Sequence, residues 1–310
     1  SKVYAHEMML FAEDDWELGE RIKLNLGINV SGFVVGSKLY CSPQPRLSGR
    51  LMINDDLSLK VGYARMTQYA HLLSNSTISL PTDLWVPVTE NIEPMTSNQV
   101  ACGLFYNLFD LLDLSVEGYY KHMNNLLEYK QGASFWGSSK NWENKVCSGE
   151  GRSYGFEVLA QRTKGRFTGW VGYTWSHTDH LFDRPGQRLN NGEWFPAKYD
   201  RRHDVSVVLT YRPSDRFDVS LTWVYSTGNA VTLGLQEYES VNNIYGDSDR
   251  PQTVTYIEKR NDFRMPDYHR MDVSCNFYRK FSARISRVIN VSVYNVYNRQ
   301  NPYMIYKKDG

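Results

Sequence analysis

The feature that most constrains this chain is a hydrophobic period of two. Between Arg21 and Val30, the apolar residues Ile22, Leu24, Leu26, Ile28 and Val30 alternate with Lys23, Asn25, Gly27 and Asn29. The alternation returns in Leu57, Leu59, Val61 and Tyr63, in Leu112, Leu114, Val116 and Tyr120, and in Tyr154, Phe156, Val158 and Ala160. It runs on through Phe167, Val171, Tyr173 and Trp175, then His203, Val205, Val207, Leu209 and Tyr211. Phe217, Val219, Leu221, Trp223 and Tyr225 follow, then Met271, Val273, Cys275 and Phe277, and finally Val291 and Val293. Successive strand side chains point to opposite faces, so every such segment has one apolar and one polar face.

Connections alternate in length. Short turns are expected at Trp16–Glu20, Asn54–Asp56, Asp110–Leu112, Lys164–Arg166, Pro213–Asp215 and Phe281–Ala283. Long polar loops are expected roughly at 32–45, 70–96, 131–147, 180–198 and 228–264. About twelve strands of about 10 to 16 residues result, longer than the five or six usual in soluble sheets. An all-β fold, a transmembrane antiparallel β-barrel, requires this pattern of spanning strands, short turns at one rim and long loops at the other. The polar faces carry Lys60, Asp113, Glu117, Glu157, Asp204, Asp218 and Asp272. A soluble sandwich or propeller would bury these charges at a cost of several kcal/mol each, whereas a wet lumen solvates them. Tyr63, Tyr120, Tyr154, Trp175, Tyr211, Phe217, Trp223, Tyr225 and Phe277 lie on apolar faces mostly near strand ends, where membrane rims favour aromatic rings.

Composition narrows the function. Thirty-five basic residues against 34 acidic ones leave a net charge of +1, which gives no electrostatic reason to bind nucleic acid. No apolar run approaches 18 residues, so a membrane-spanning helix is not expected. A mean hydropathy of −0.51 fits a wall whose every second residue is polar. Ser1–His6 has no apolar core or small-residue cleavage site, and no linker divides the chain, so residues 1–310 read as one domain without a signal peptide.

Catalytic patterns fail on context. Gly151-Arg152-Ser153-Tyr154-Gly155 matches G-x-S-x-G, but it leads into an alternating strand rather than the helix a nucleophile elbow needs. His203 and Asp204 are strand neighbours and face opposite ways. The chain is therefore not expected to be an enzyme, and no cofactor is called for. Asp247 and Asp249, with Glu237 and Glu239, could ligate calcium but read more simply as solvated loop carboxylates. Cys102 and Cys275 read as small apolar residues, while Cys41 and Cys147 fall in long loops on one rim and leave a disulfide open. Candidate ligand-binding residues are the loop aromatics Trp85, Trp136, Trp142, Trp194, Tyr238 and Tyr245, whose flat faces suit sugars, peptides or hydrophobic chelates. Packing of the same rings against the barrel mouth is the alternative.

Several motifs resemble TonB-dependent outer-membrane receptors. Phe11-Ala12-Glu13-Asp14-Asp15-Trp16 with Lys23-Leu24-Asn25-Leu26-Gly27 looks like a mid-barrel hairpin of that family. Pro45-Arg46-Leu47-Ser48 before Leu57-Ser58-Leu59-Lys60-Val61-Gly62-Tyr63 resembles the next one. Ala197-Lys198-Tyr199-Asp200-Arg201-Arg202-His203-Asp204 and Met265-Pro266-Asp267-Tyr268-His269-Arg270-Met271-Asp272 look like its strand-start motifs. Val293-Tyr294-Asn295-Val296-Tyr297-Asn298-Arg299-Gln300-Asn301-Pro302 is similar to its penultimate strand, and Tyr225-Ser226-Thr227-Gly228-Asn229 looks most like Bacteroidota members.

The resemblance implies a 22-stranded barrel closed by a plug and energised through TonB in the Gram-negative outer membrane. Long loops would be extracellular and short turns periplasmic. Against that pattern the chain shows no plug, no TonB-contacting segment and no closing strand with an aromatic end. The expectation is a barrel segment whose partners are outer-membrane lipid, the rest of the barrel and its plug, TonB through that plug, and, in glycan or peptide uptake, a surface lipoprotein. The implied function is TonB-dependent uptake of a metal chelate, glycan or peptide caught by the loops. A passive porin, a stand-alone twelve-stranded secretion or adhesion barrel, and last a soluble β-rich hydrolase are the alternatives.

Overall fold

The structure is a computed structural model that describes residues 3–73, 84–130, 142–233, 236–240, 252–257, 259–302 and 305. It opens with β1 (Ala5–Leu18), β2 (Ile22–Val35), β3 (Lys38–Met52) and β4 (Leu57–Gln68). A small hairpin, β5 (Ala70–Leu73) and β6 (Leu84–Pro87), precedes β7 (Met95–Leu108) and β8 (Leu112–Tyr129). A 3-10 turn at Trp142–Lys145 leads into β9 (Val146–Arg162) and β10 (Phe167–Leu181), and β11 (Phe195–Pro196) pairs back on β10. Next come β12 (His203–Ser214), β13 (Phe217–Ser226), β14 (Ala230–Val231), β15 (Gln236–Ser240), β16 (Gln252–Tyr256) and β17 (Phe263–Arg264). The last two are β18 (Tyr268–Lys280) and β19 (Ser286–Val293).

Twelve long strands form one antiparallel sheet in chain order, β1-β2-β3-β4-β7-β8-β9-β10-β12-β13-β18-β19. Each of the six expected short turns is there, and all six lie at one end of the sheet. In the turn between β7 and β8, Phe109 and Asp110 both take positive φ, and Asn107 holds the turn by accepting the Asp110 N–H at 2.8 Å.

One expected loop is not a loop. Residues 32–45 form most of a hairpin whose turn is only Gly36-Ser37, with Gly36 at φ +57°. Pro43 and Pro45 suggest a break, yet both lie in β3. There the β3 ladder runs only to β2, since its pairing with β4 begins at Arg46. β4 reaches it through side chains, Gln44 accepting the Thr67 N–H at 3.1 Å and Ser42 Oγ lying 2.6 Å from Thr67 Oγ1. Proline lacks a ladder donor and is tolerated where one edge is open. The hairpin therefore stands beyond its neighbour as a ribbon.

Register carries the two-residue period across the whole sheet. Leu104 faces Leu59 and Val116, Val116 faces Val158, Val158 faces Tyr173, Tyr173 faces Val205, and Val205 faces Tyr225. This apolar face is uncovered: Val100 is 55% exposed, Val116 51% and Val61 49%. A sandwich would have buried that face under a second layer, so the sheet is a single wall. Aromatic rings bound its apolar band on both sides. Tyr120 and Tyr154 (6.5 Å), Phe156 and Trp175 (5.9 Å), and Trp223 and Tyr225 (6.2 Å) pair toward the long-connection end. Phe217 and Phe277 pair at 5.1 Å toward the short turns, with Phe167 facing Tyr211 beside them. From His203 to Tyr211 along β12, at about 3.3 Å per residue and about 40° tilt, the band is roughly 20 Å tall, close to the height a bilayer needs. No helix among the described residues is long and apolar enough to cross a membrane.

Among the described residues, buried clusters gather at the long-connection end. Leu73, Val86, Ile92, Leu127, Tyr129 and Val146 form one, and Phe33, Val35, Tyr69 and Val88 a second. Cys147, Phe182, Leu189 and Phe195 form a third. The rim is thus packed by its own connections while the wall below remains one layer thick.

Candidate solute-binding rim

A β-bulge decides which side chains the rim turns inward. Asn125, at φ +58°, interrupts the pairing of β8 with β9 between Asn124 and Leu126. Below it the even residues of β8 carry the apolar outer face; above it Leu127 and Tyr129 do, and Leu126 and Glu128 turn to the lumen side. Bulges re-aim side chains in this way at barrel rims. Asn125 secures the kink by donating its side-chain amide to the Pro94 carbonyl at 3.1 Å.

Glu128 then anchors an inner ion cluster. Arg260 donates to it at 3.2 Å, to the Tyr129 carbonyl at 2.9 Å, and through its backbone N–H to Asn190 Oδ1 at 3.0 Å. His180 is 3.7 Å from the same carboxylate. A second cluster ties β9, β10 and the segment before β12 on the outer side. Arg152 and His177 meet Asp179 at 3.1 and 2.6 Å, and Arg202 reaches both His177 and Asp200. Arg264 pairs with Asp200, whose side chain is fully buried. Buried, paired charges of this kind fix geometry more than they add stability. They hold connections from distant parts of the chain in one arrangement.

Nothing local in the sequence signals these partners. Arg260 lies 132 positions from Glu128 and Arg264 lies 64 from Asp200. The Arg201-Arg202-His203-Asp204 run was visible, but its contacts were not. His203 bonds Tyr173 at 2.9 Å on the outer face, apart from Asp204. Ser153 sits mid-strand in β9 against Lys121 and Thr178, so no nucleophile elbow forms.

The aromatic candidates separate. Trp85 stands on β6 and is 60% exposed. Trp194 is partly exposed, with the Arg152 guanidinium 4.2 Å over its ring in a cation–π contact. Trp142 packs against the first buried cluster. Tyr238 lies on β15 opposite Val254, with its side chain outside the described residues. Trp136 and Tyr245 fall outside them, as do Asp247 and Asp249. Among the described residues no group of three or more His, Cys, Asp or Glu is placed to hold a metal ion.

The disulfide left open by the sequence does not form. Cys41 is an exposed residue of β3 and Cys147 a buried one of β9, both free and neither in a loop. Four interstrand steps of about 4.8 Å separate these strands, far beyond the ~7 Å that a disulfide spans between Cα atoms. The Cys147 thiol donates instead to the Glu128 carbonyl at 3.5 Å.

Two features of the outer connections bear on charge. Glu90 accepts the Ser37 N–H at 2.5 Å and its hydroxyl at 2.7 Å, which lowers the Glu90 pKa and pins the hairpin turn to the loop after β6. Burial drives the His71 imidazole below its ordinary value. A cavity of about 450 Å³ opens beside them, lined by Lys38, Asn91, Glu93, Leu127, Lys130 and Arg184 among others. Its mix of cations, amides and one apolar wall can hold a small polar molecule.

Comparison with known proteins fits this geometry. The family model described as TonB dependent receptor-like, beta-barrel, matches residues 1–298. The search of curated proteins found no match. Among solved structures, the ferric-catecholate import receptor Fiu from Escherichia coli K12 superposes with a TM-score of 0.62 at 13% identity, over 96% of this chain and 41% of that one. The ferripyoverdine receptor of the Pseudomonas aeruginosa outer membrane gives 0.62 at 13%, over 95% and 35%. The FrpB iron transporter from Neisseria meningitidis gives 0.62 at 15%, over 96% and 42%. The chain spans about two fifths of these proteins or less, and at such identity the likeness establishes the fold. With most of its length matched by one family model, this chain belongs to the TonB-dependent receptor-like β-barrel family.

Proposed function

We propose that this chain is wall and rim of an outer-membrane receptor that imports a solute in a TonB-dependent manner. The observation that carries the reading is the single-layer sheet, apolar and uncovered outside, charged inside, with a rim of packed connections at one end only. The apolar band lies in the outer membrane of a Gram-negative cell, with the long connections outside and the short turns in the periplasm. β1 and β19 are the sheet's edges, and open edges are not tolerated in lipid, so further strands pair with them. A plug in the lumen, TonB acting through it, and a surface lipoprotein complete the set of proposed partners. The wall carries no catalytic function in this reading.

Iron chelates are the solute class favoured by the relatives named above. Trp85 and Trp194 are the exposed ring faces offered to such a ligand, and Trp136, Trp142, Tyr238 and Tyr245 belong to the same candidate set. The test is uptake of a labelled ferric chelate by cells that make the protein, with and without a protonophore. Energy-dependent uptake is expected, and Trp85→Ala should weaken capture about tenfold, the scale of an aromatic hot spot, with assembly unchanged. Uptake that persists without the proton gradient would identify a passive pore.

A further inference from the structure

The short turn between β18 and β19 carries a charge that the wall does not balance. Residues 279–287 hold four cations, Arg279, Lys280, Arg284 and Arg287, and no acid. The short turns at Glu20, Asp55-Asp56, Asp110 and Asp215 all carry carboxylates. Register places Arg279 directly opposite Arg287, and like charges set directly opposite destabilise a sheet. Among the described residues neither arginine makes an ion pair or a side-chain hydrogen bond. Both guanidinium groups instead lie over one ring, that of Phe281, at 4.9 and 5.4 Å from its centre.

Position on the wall decides what such a pair meets. The next pair on the same face is Phe277 and Ile289, and Phe277 packs on Phe217 in the aromatic border of the apolar band. Arg279 and Arg287 therefore stand on the outer face, two residues or about 7 Å beyond that border. Phe281 is 52% exposed and Ile285 61%, so the tip sets two bare apolar side chains among its cations. The tip is a built turn. The Phe281 N–H donates to the Ile285 carbonyl at 3.0 Å, and the Ser282 hydroxyl accepts the Arg284 and Ile285 N–H groups at 3.3 and 3.2 Å. Cations and bare apolar groups side by side suit neither water nor hydrocarbon. They suit the layer in which acyl chains meet headgroups.

We propose that Arg279 and Arg287 clamp the phosphodiester of an anionic phospholipid in the leaflet at the short-turn end, with Phe281 and Ile285 against the tops of its acyl chains. This rests on the reading of the outer face as the one that meets lipid. Charge complementarity sets the sign of the ligand, and the depth of the pair sets its kind. Two guanidinium forks flanking one phosphate hydrogen-bond it from either side, and the bound anion removes the repulsion between them. The Phe281 ring holds both forks in place before the anion arrives. Arg284, at the tip, adds to the attraction for an anionic surface. A soluble anion would satisfy the arginines but would leave Phe281 and Ile285 in water.

The probe is phosphatidylglycerol with a diazirine near the head of one acyl chain, a minor component of phosphatidylcholine liposomes. The liposomes hold the receptor purified complete with the strands that pair with β1 and β19. After illumination, peptide mass spectrometry maps the adducts. The reference is the acid-bearing turn between β7 and β8, whose exposed Phe109 meets the same leaflet without a cation pair. Label on residues 281–285 should exceed label on that turn about tenfold, the scale of one charge-assisted hydrogen bond. A phosphatidylcholine probe of the same build should label the two turns alike. Arg279→Gln and Arg287→Gln should each cut the phosphatidylglycerol label about tenfold, with heat-modifiable mobility still that of a folded barrel. Equal phosphatidylglycerol label on both turns of the wild type would overturn the clamp, whether or not the variants fold. Folded variants that label as wild type does would also overturn it. Loss of the label to millimolar inorganic phosphate would overturn it in favour of a free anion. Any of these results leaves the importer reading standing, whereas label on neither turn would take the outer face out of lipid and remove both.

Discussion

His71 is buried in β5 and shares its Nε2 proton with the Glu93 carbonyl at 2.9 Å. Burial lowers its pKa, so the unfolded loop takes up a proton more readily than the folded one. The sign follows from linkage: the contribution is fully present above the ordinary imidazole value of about 6.5 and is lost as pH falls from there through the depressed folded value. Protection of the β5–β6 amides, taken relative to their intrinsic exchange rates, should therefore fall between pH 7.5 and 5.5, and His71→Gln should flatten that dependence. At this scale the sequence was legible by residue type only. It treated Trp85, Trp136, Trp142 and Trp194 alike and could not tell the exposed Trp85 and Trp194 from Trp142, which packs on a buried cluster. Nor could it assign Arg152 to Trp194 or Arg260 to Glu128, because such contacts depend on how separate connections meet. The same limit explains Cys41 and Cys147, which were close only on a map of loops.

Among elements, the long strands and the six short turns were readable because side-chain period and turn residues are local properties. The β2–β3 hairpin was misread because proline and polar residues mark loops on average, whereas here they mark a ribbon with one open edge. Close approaches between elements left almost no trace. Gly228, after β13, shows the point: a Cβ built there would lie 1.7 Å from the Met265 carbonyl oxygen. Main chain cannot yield as a side-chain tip does, so Gly228→Ala should cost about 3 kcal/mol or more. The measurement is the fraction of heat-modifiable, folded protein in the outer-membrane fraction, which should drop sharply. Wild-type yield for that variant would mean the two connections are free to separate.

For the molecule as a whole, the decisive property is which face meets lipid. Val207 and Ser206 are neighbours in β12, and Val207 lies on the apolar face between Val171 and Trp223. Val207→Arg should cost roughly 2–4 kcal/mol and impair insertion, while Ser206→Arg on the lumen side should be tolerated. Comparing folded yields of the two variants tests the assignment of faces, and equal yields would reject it. Fold class and the two faces of the wall were thus legible in periodicity, whereas the rim was not, because the bulge at Asn125 shifts β8 out of the pattern that identifies it. That single extra residue acts as a phase boundary. Below it, the choice of every second residue answers to the bilayer; above it, the same strand answers to the connections it carries. Substitutions in the upper half can therefore reshape the rim without disturbing the apolar register beneath, so the two halves of one strand are free to vary separately.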